Sequence, residues 1–368
     1  MKRILLHLLL AAAAFAPAAA AAHEPQTETE VRNVILMIGD GMGLAQTGAL
    51  MIDSGYAPLS FDRAQHIALV KTYSANNRVT DSAAAATAMG TGCKTENGRI
   101  GIAPDGSRPA NLTELAEAAG LSTALVVTSH LADATPSGFA AHTLERYTSD
   151  EITAAYADAG IDILAGGGRA YFEASLDGRN IVEELRAKGY RFAETPEEFC
   201  AADELPLLGL FAPEYMPTAD KRGEEYLAAA TAHTLDLLSR REAGFFAMIE
   251  GSQIDIACHN NDTEVMLAEM RDFNRAVHTA FDFADTHPGT LVVVVADHET
   301  GGLTMVSNDR DFTATESGID FRYSTTSHSG IPVVLYAYGT GSEHFHGTMQ
   351  NTDIFRKIKE LLIDRLSL

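Results

Sequence analysis

The stretch Asn33-Val34-Ile35-Leu36-Met37-Ile38-Gly39-Asp40-Gly41-Met42-Gly43 decides the fold class. Its apolar run shows no alternation of inward and outward residues, which marks a strand covered on both faces, as in a parallel sheet packed between helices. The run ends abruptly in a carboxylate set between glycines. Four more stretches share this character, at 123–128, 245–249, 291–296 and 333–338. Between them, apolar residues recur at intervals of three and four over 112–119, 265–283 and 353–366, the spacing of helices. Strand and helix alternate with no internal repeat, so the expected fold is α/β, a largely parallel central sheet flanked by helices on both faces. Segments 174–222 and 307–326 are more polar and less periodic, and read as surface insertions on a single domain over 23–368.

Composition excludes several classes. The chain carries 27 Lys and Arg against 50 Asp and Glu, a formal charge of −23, so capture of nucleic acid or anionic lipid through a basic surface is ruled out. With 46% hydrophobic and 21% charged residues it is neither disordered nor a polytopic membrane protein. Met1-Lys2-Arg3, an apolar run over 4–15 and alanines up to Ala22 read as a cleaved secretory signal over 1–22. The mature chain is therefore expected in the periplasm or outside the cell, with no membrane anchor. Cys93, Cys200 and Cys258 are too few for a disulfide scaffold; export permits one bridge, whose pairing the sequence does not give.

Ligands of open α/β sheets bind at the carboxyl ends of the strands, and here those exits are acidic. Asp40 follows the first run, Glu250-Gly251-Ser252-Gln253-Ile254-Asp255 the third and Asp297-His298-Glu299 the fourth, while Asp133-Ala134-Thr135-Pro136 comes shortly after the second. Singly, each has an ordinary reading as a turn or a helix cap. Together they converge on one rim. His259 stands four residues after Asp255, on the same helical face, and His298 and His328 add two imidazoles. Imidazole with carboxylate suits zinc, whereas the oxygen set Asp40, Asp133, Thr135 and Glu250 suits magnesium. Carboxylates this dense repel one another unless cations neutralise them.

Thr80-Asp81-Ser82 opens an alanine-rich helix. Asp81 or Ser82 is at least its cap; as a nucleophile, Ser82 would sit where free N–H groups favour an alkoxide and an incoming phosphate. Arg146, four residues past His142, either holds two phosphate oxygens or lies on a solvated helical face pairing with Glu145 or Asp150.

Taken in order from about residue 30 to 350, these six motifs, closing with His328-Ser329-Gly330, resemble those of the alkaline phosphatase family. The resemblance implies hydrolysis of small-molecule phosphate monoesters through a phosphoserine on Ser82, with Arg146 and Asp133 helping to bind substrate. It implies one zinc on Asp255, His259 and His328, a second on Asp40, Asp297 and His298 with Ser82, and a magnesium on Asp40, Asp133, Thr135 and Glu250. Ile256 departs from the family, which usually carries Lys or His there, and Asp133 is thereby expected to lose a cationic neighbour. The chain is shorter than typical members, which points to a reduced crown-type insertion near 307–326. Glu343-His344-Phe345-His346-Gly347 resembles a late loop of the family without a role we assign. Members are often homodimers. A phosphodiesterase or sulfatase of the same superfamily is the nearest alternative; a zinc-dependent phosphate-binding protein without turnover is a remote one.

Overall fold

Apolar runs become strands where both faces find cover, and the computed structural model, which describes residues 30–174, 178–308 and 318–367, gathers them into one sheet. The expected signal at 1–22 lies outside the described residues. In chain order the strands are β1 (Asn33–Gly39), β2 (His66–Lys71), β3 (Ser122–His130), β4 (Ile163–Gly167), β5 (Arg191–Ala193), β6 (Leu207–Leu210), β7 (Phe245–Gly251), β8 (Thr290–Val295), β9 (Glu299–Thr300), β10 (Thr304–Ser307), β11 (Ile319–Arg322), β12 (His328–Ser329), β13 (Val333–Gly339) and β14 (Gly347–Gln350). Ten of them form the main sheet, ordered β14-β2-β13-β8-β1-β7-β3-β4-β6-β5. The expected runs at 33–38, 123–128, 245–249 and 291–296 are β1, β3, β7 and β8, the buried centre of the molecule. Helices flank them: Tyr226–Ser239 and Thr263–Thr286 pack together beside β3, β7 and β8, and Leu112–Ala118 packs on β3 and β7. Among the described residues no helix is long and apolar enough to cross a membrane.

Three expectations need correction. The run at 333–338 reads as parallel, but β13 lies antiparallel to both β8 and β2, while the other pairs of the main sheet are parallel. A continuous apolar run reports that both faces are covered; it carries no information on strand direction. The segment 174–222, read as a surface insertion, supplies β5 and β6, the last two strands at one edge. Three and four residues are too short for a period to show. The helical pattern at 353–366 is an α-helix only over Asn351–Ile358, continuing as a wider π turn at Lys359–Ile363 and a 3-10 turn at Asp364–Ser367. Of the segment 307–326, residues 309–317 lie outside the described residues, and the flanking strands β10 and β11 pair antiparallel.

The edge segment is fastened by a buried arginine. Arg222 reaches Glu269 at 2.8 Å and Asp272 at 2.7 Å on the helix Thr263–Thr286, with all three side chains at 5% exposure or less. Arg222 also donates to the Pro217 carbonyl. Burial raises Asp272 to about 6 against the pull of Arg222. Removing one partner of such a cluster leaves buried charge uncompensated, so Arg222→Ala is expected to lower unfolding stability by about 3–5 kcal/mol, measured by denaturant titration of the folded chain. A loss below about 1 kcal/mol would mean that the edge is held by apolar packing alone.

Candidate active site

Four neighbouring strands, β8, β1, β7 and β3, bring their carboxyl ends together. They deliver Asp297 and His298, Asp40, Glu250, and, one turn beyond β3, Asp133 and Thr135. The short helix Gln253–His259 then carries Asp255 and His259 on one face, as their spacing of four predicts. Gly41 makes the crowding possible: its φ is +69°, and a Cβ there would stand 2.9 Å from both Cα and Oδ1 of Asp255. Its N–H donates to Asp297 Oδ1 at 3.1 Å.

The three histidines share one orientation. His259 Nδ1 lies 2.7 Å from the Thr326 carbonyl and His328 Nδ1 2.9 Å from the Thr80 carbonyl. A carbonyl only accepts, so both Nδ1 atoms carry hydrogen and both Nε2 atoms turn inward. His298 Nδ1 lies 3.2 Å from Thr300 Oγ1, and the Thr300 hydroxyl also hydrogen-bonds Asp255. Since the carboxylate takes the single hydroxyl proton, Thr300 accepts from His298, which leaves His298 Nε2 facing Ser82 Oγ at 3.2 Å and Asp297 at 3.0 Å. His259 and His328 point Nε2 at each other across 3.1 Å, an arrangement that needs a proton or a cation between them.

Ser82 opens the helix Ser82–Thr91, whose ten residues are all buried. Asp81 caps it, accepting from Ala84 N at 2.9 Å. Small residues let this helix touch the turn Ala134–Ser137 directly: a Cβ on Gly90 would lie 2.5 Å from the Gly138 carbonyl, and one on Gly138 would lie 2.6 Å from Ala86 Cβ. Arg146 comes from an irregular loop and not from a helical face; it pairs with Asp81 at 3.2 Å and Asp133 at 3.5 Å. The expectation that Asp133 lacks a cationic neighbour is therefore corrected, because the loop folds Arg146 onto it.

The electrostatics of the cluster call for cations. Burial, reinforced by Asp297, Asp255, Glu250 and Asp133, raises Asp40 well above the carboxylate range, and burial with Asp133 does the same to Glu250. For Asp255 burial is outweighed by His259 and the other imidazoles, which hold it low, and the hydrogen bond with Asp255 lifts His259 to about 9. Asp40 Oδ1, Thr135 Oγ1 and Glu250 Oε2 are buried without a hydrogen-bond partner. Unsatisfied oxygens of this kind fit a hard cation, and the imidazole and carboxylate groups fit zinc. Two tight groupings stand out among the described residues, Asp40 with Asp297 and His298, and Asp255 with His298 and His328, each with donor atoms within 4.8 Å of one another. His259, expected in the second group, stands 3.1 Å from both Asp255 and His328.

Some readings were incomplete. Glu299, at the strand exit, turns away to accept from Gln46 at 3.3 Å and from Leu303 N–H, outside the two tight groupings. His344 and His346 follow the end of β13, which lies beside the start of β8, at the end of the sheet opposite the cluster. All three cysteines are free thiols. The sequence reading missed Thr300, three residues past Asp297 and hidden among ordinary threonines. It also missed His130, Tyr147, Tyr171 and Tyr215, which line the same cleft of about 380 Å³ as Asp40, Ser82, Arg146 and Ile256. The last two come from segments far apart in sequence, and no local spacing announces them.

The alkaline phosphatase family model matches residues 31–318. Alkaline phosphatase 4 of Bacillus subtilis is 32% identical, with 92% of this chain and 91% of that protein aligned. The solved alkaline phosphatase of the Antarctic bacterium TAB5 superposes with a TM-score of 0.85 at 36% identity, covering 90% of this chain and 98% of that one. A mutant of that enzyme, solved with Mg bound in its M3 site, gives a TM-score of 0.84 at 36% identity over 91% of this chain and 98% of its own.

Proposed function

The chain belongs to the alkaline phosphatase family and is a phosphoric monoester hydrolase, and on that premise we propose that it works through a phosphoserine on Ser82 with two zinc ions and one magnesium. The inward turn of three Nε2 atoms among buried carboxylates, with His298 Nε2 3.2 Å from the Ser82 hydroxyl, is the observation that carries this reading. Asp255, His259 and His328 would hold one zinc, and Asp40, Asp297, His298 and Ser82 the other. Magnesium would take Asp40, Asp133, Thr135 and Glu250, in keeping with the unpaired oxygens of Asp40, Thr135 and Glu250. When bound, these ions would supply the Lewis acidity that lowers the hydroxyl pKa and the positive charge that a chain at −23 lacks.

The residues themselves do the rest. Ser82 Oγ, at a helix N-terminus, attacks phosphorus, forming the Ser–O–P bond as the ester P–O bond breaks and the alcohol leaves. Water then splits the phosphoserine and releases inorganic phosphate. Arg146, held by Asp81 and Asp133, presents its guanidinium to two equatorial phosphoryl oxygens. Its loss removes charge-assisted hydrogen bonds worth about 1.5–3 kcal/mol, so Arg146→Ala is expected to raise KM for a small monoester roughly 10–100-fold. An unchanged KM would assign Arg146 to the fold alone.

The supporting experiment compares initial rates on a monoester, a diester and a sulfate ester, with zinc and magnesium quantified in the same sample. Monoester turnover that dominates and is lost on chelation is expected; a faster diester or sulfate rate would favour the sister activities, which the relatives do not support. Export through 1–22, a single catalytic domain over 23–368 and a homodimer complete the proposal.

A further inference from the structure

Three tyrosines stand around the mouth of the cleft that the phosphoryl chemistry does not use. Tyr147 is 83% exposed, and the Arg146 guanidinium lies 5.5 Å from its ring centre. Tyr171 and Tyr215 both pack on the buried ring of His130, with centroids 5.0 Å and 4.6 Å away. Tyr215 remains 42% exposed. They come from three separate segments: the loop after the turn Ala134–Ser137, the helix Arg169–Glu173 behind β4, and the loop after β6. Isolated exposed aromatics need no explanation, but three lining one cleft with Ser82 and Arg146, two of them packed on the same imidazole, give that cleft an aromatic lining.

We propose that Tyr147, Tyr171 and Tyr215 form a subsite for the leaving alcohol and favour monoesters whose alcohol carries a planar aromatic ring. This rests on the phosphatase reading of Ser82. The alcohol emerges from the floor formed by Ser82 and Arg146 into a mouth flanked by these rings, where an aromatic group stacks or meets them edge-on. A cationic alcohol fits this lining less well, because Arg146 already places a positive charge over Tyr147.

The test pairs two esters with the same kind of primary alkyl leaving oxygen, adenosine 5′-monophosphate and ribose 5-phosphate, on the metal-loaded enzyme. A kcat/KM about tenfold higher for the ring-bearing ester is expected, since one well-placed aromatic contact reaches that size. In the double variant Tyr147→Ala with Tyr171→Leu the ratio should fall to within about twofold of unity while ribose 5-phosphate turnover stays, and Tyr147→Phe should keep the preference. A ratio near unity in the native enzyme, or one that survives the double variant, overturns the proposal. So does a preference for choline phosphate over ribose 5-phosphate that the same variant abolishes, which would make the lining a cation cage. Calorimetric binding of adenosine, present in the native protein and weakened in Tyr147→Ala, tests the subsite separately: if it holds while neither ester is cleaved, the phosphatase reading fails and the aromatic subsite stands.

Discussion

Ser82→Ala is expected to lower turnover by about ten-thousandfold or more, the scale of loss when a covalent nucleophile is removed. The change deletes one oxygen and little else. Alanine is the best helix former, the cap stays with Asp81, and the Arg146 pairs are untouched, so the helix should open at the same residue. The carboxylates and imidazoles also remain, and metal content should stay near that of the native chain. Quenched reactions with a radiolabelled monoester should trap label on the peptide containing Ser82 in the native protein and none in the variant. Substantial residual turnover with full metal content would sink the covalent reading and leave direct attack by water.

Asp40→Asn should act in two opposite directions. Asp40 lies 3.5 Å from His298 Nε2 and among Asp297, Asp255, Glu250 and Asp133, so on the proposed assignment it would serve both the nitrogen-containing and the all-oxygen donor sets. Replacing its charge with a nearly isosteric amide should weaken both, costing on the order of a thousandfold in activity, beyond the 10–100-fold typical of outer-shell changes. The chelated protein should respond the other way. A carboxyl whose folded pKa is raised by burial and like charge contributes stability that is lost as pH rises through that pKa, so at neutral pH the carboxylate of Asp40 destabilises the metal-free fold. The expected result is a higher Tm than native in chelator and a smaller Tm gain on adding zinc and magnesium. A lower Tm in chelator would mean that Asp40 is structural.

Much of this site was legible because strand ends are close to their loops. Asp40, Glu250 and Asp297 follow directly from apolar runs, and once those runs are central strands their neighbours in space follow. Asp255 and His259 needed only the helical period. What escaped needed the third dimension. Arg146 sits in a loop whose path follows from tertiary packing, and the direction of β13 follows from the sheet it joins, since its residues are buried either way. Tyr171 and Tyr215 reach the cleft because β4 and β6 extend the sheet past β3, and strands of four and five residues leave no periodic trace. Thr300 was overlooked because its role depends on where one hydroxyl proton goes, a matter of local geometry.

The helix that carries Ser82 has a mechanical consequence. With every residue buried and its backbone pressed against Gly138, it has few side-chain rotations through which to loosen. Its amide groups should then exchange with solvent only through opening of the whole molecule, whereas the Tyr147 ring at the cleft is 83% exposed. Adaptation to alcohols of different shape is thus left to the rim, and the floor works as a fixed anvil.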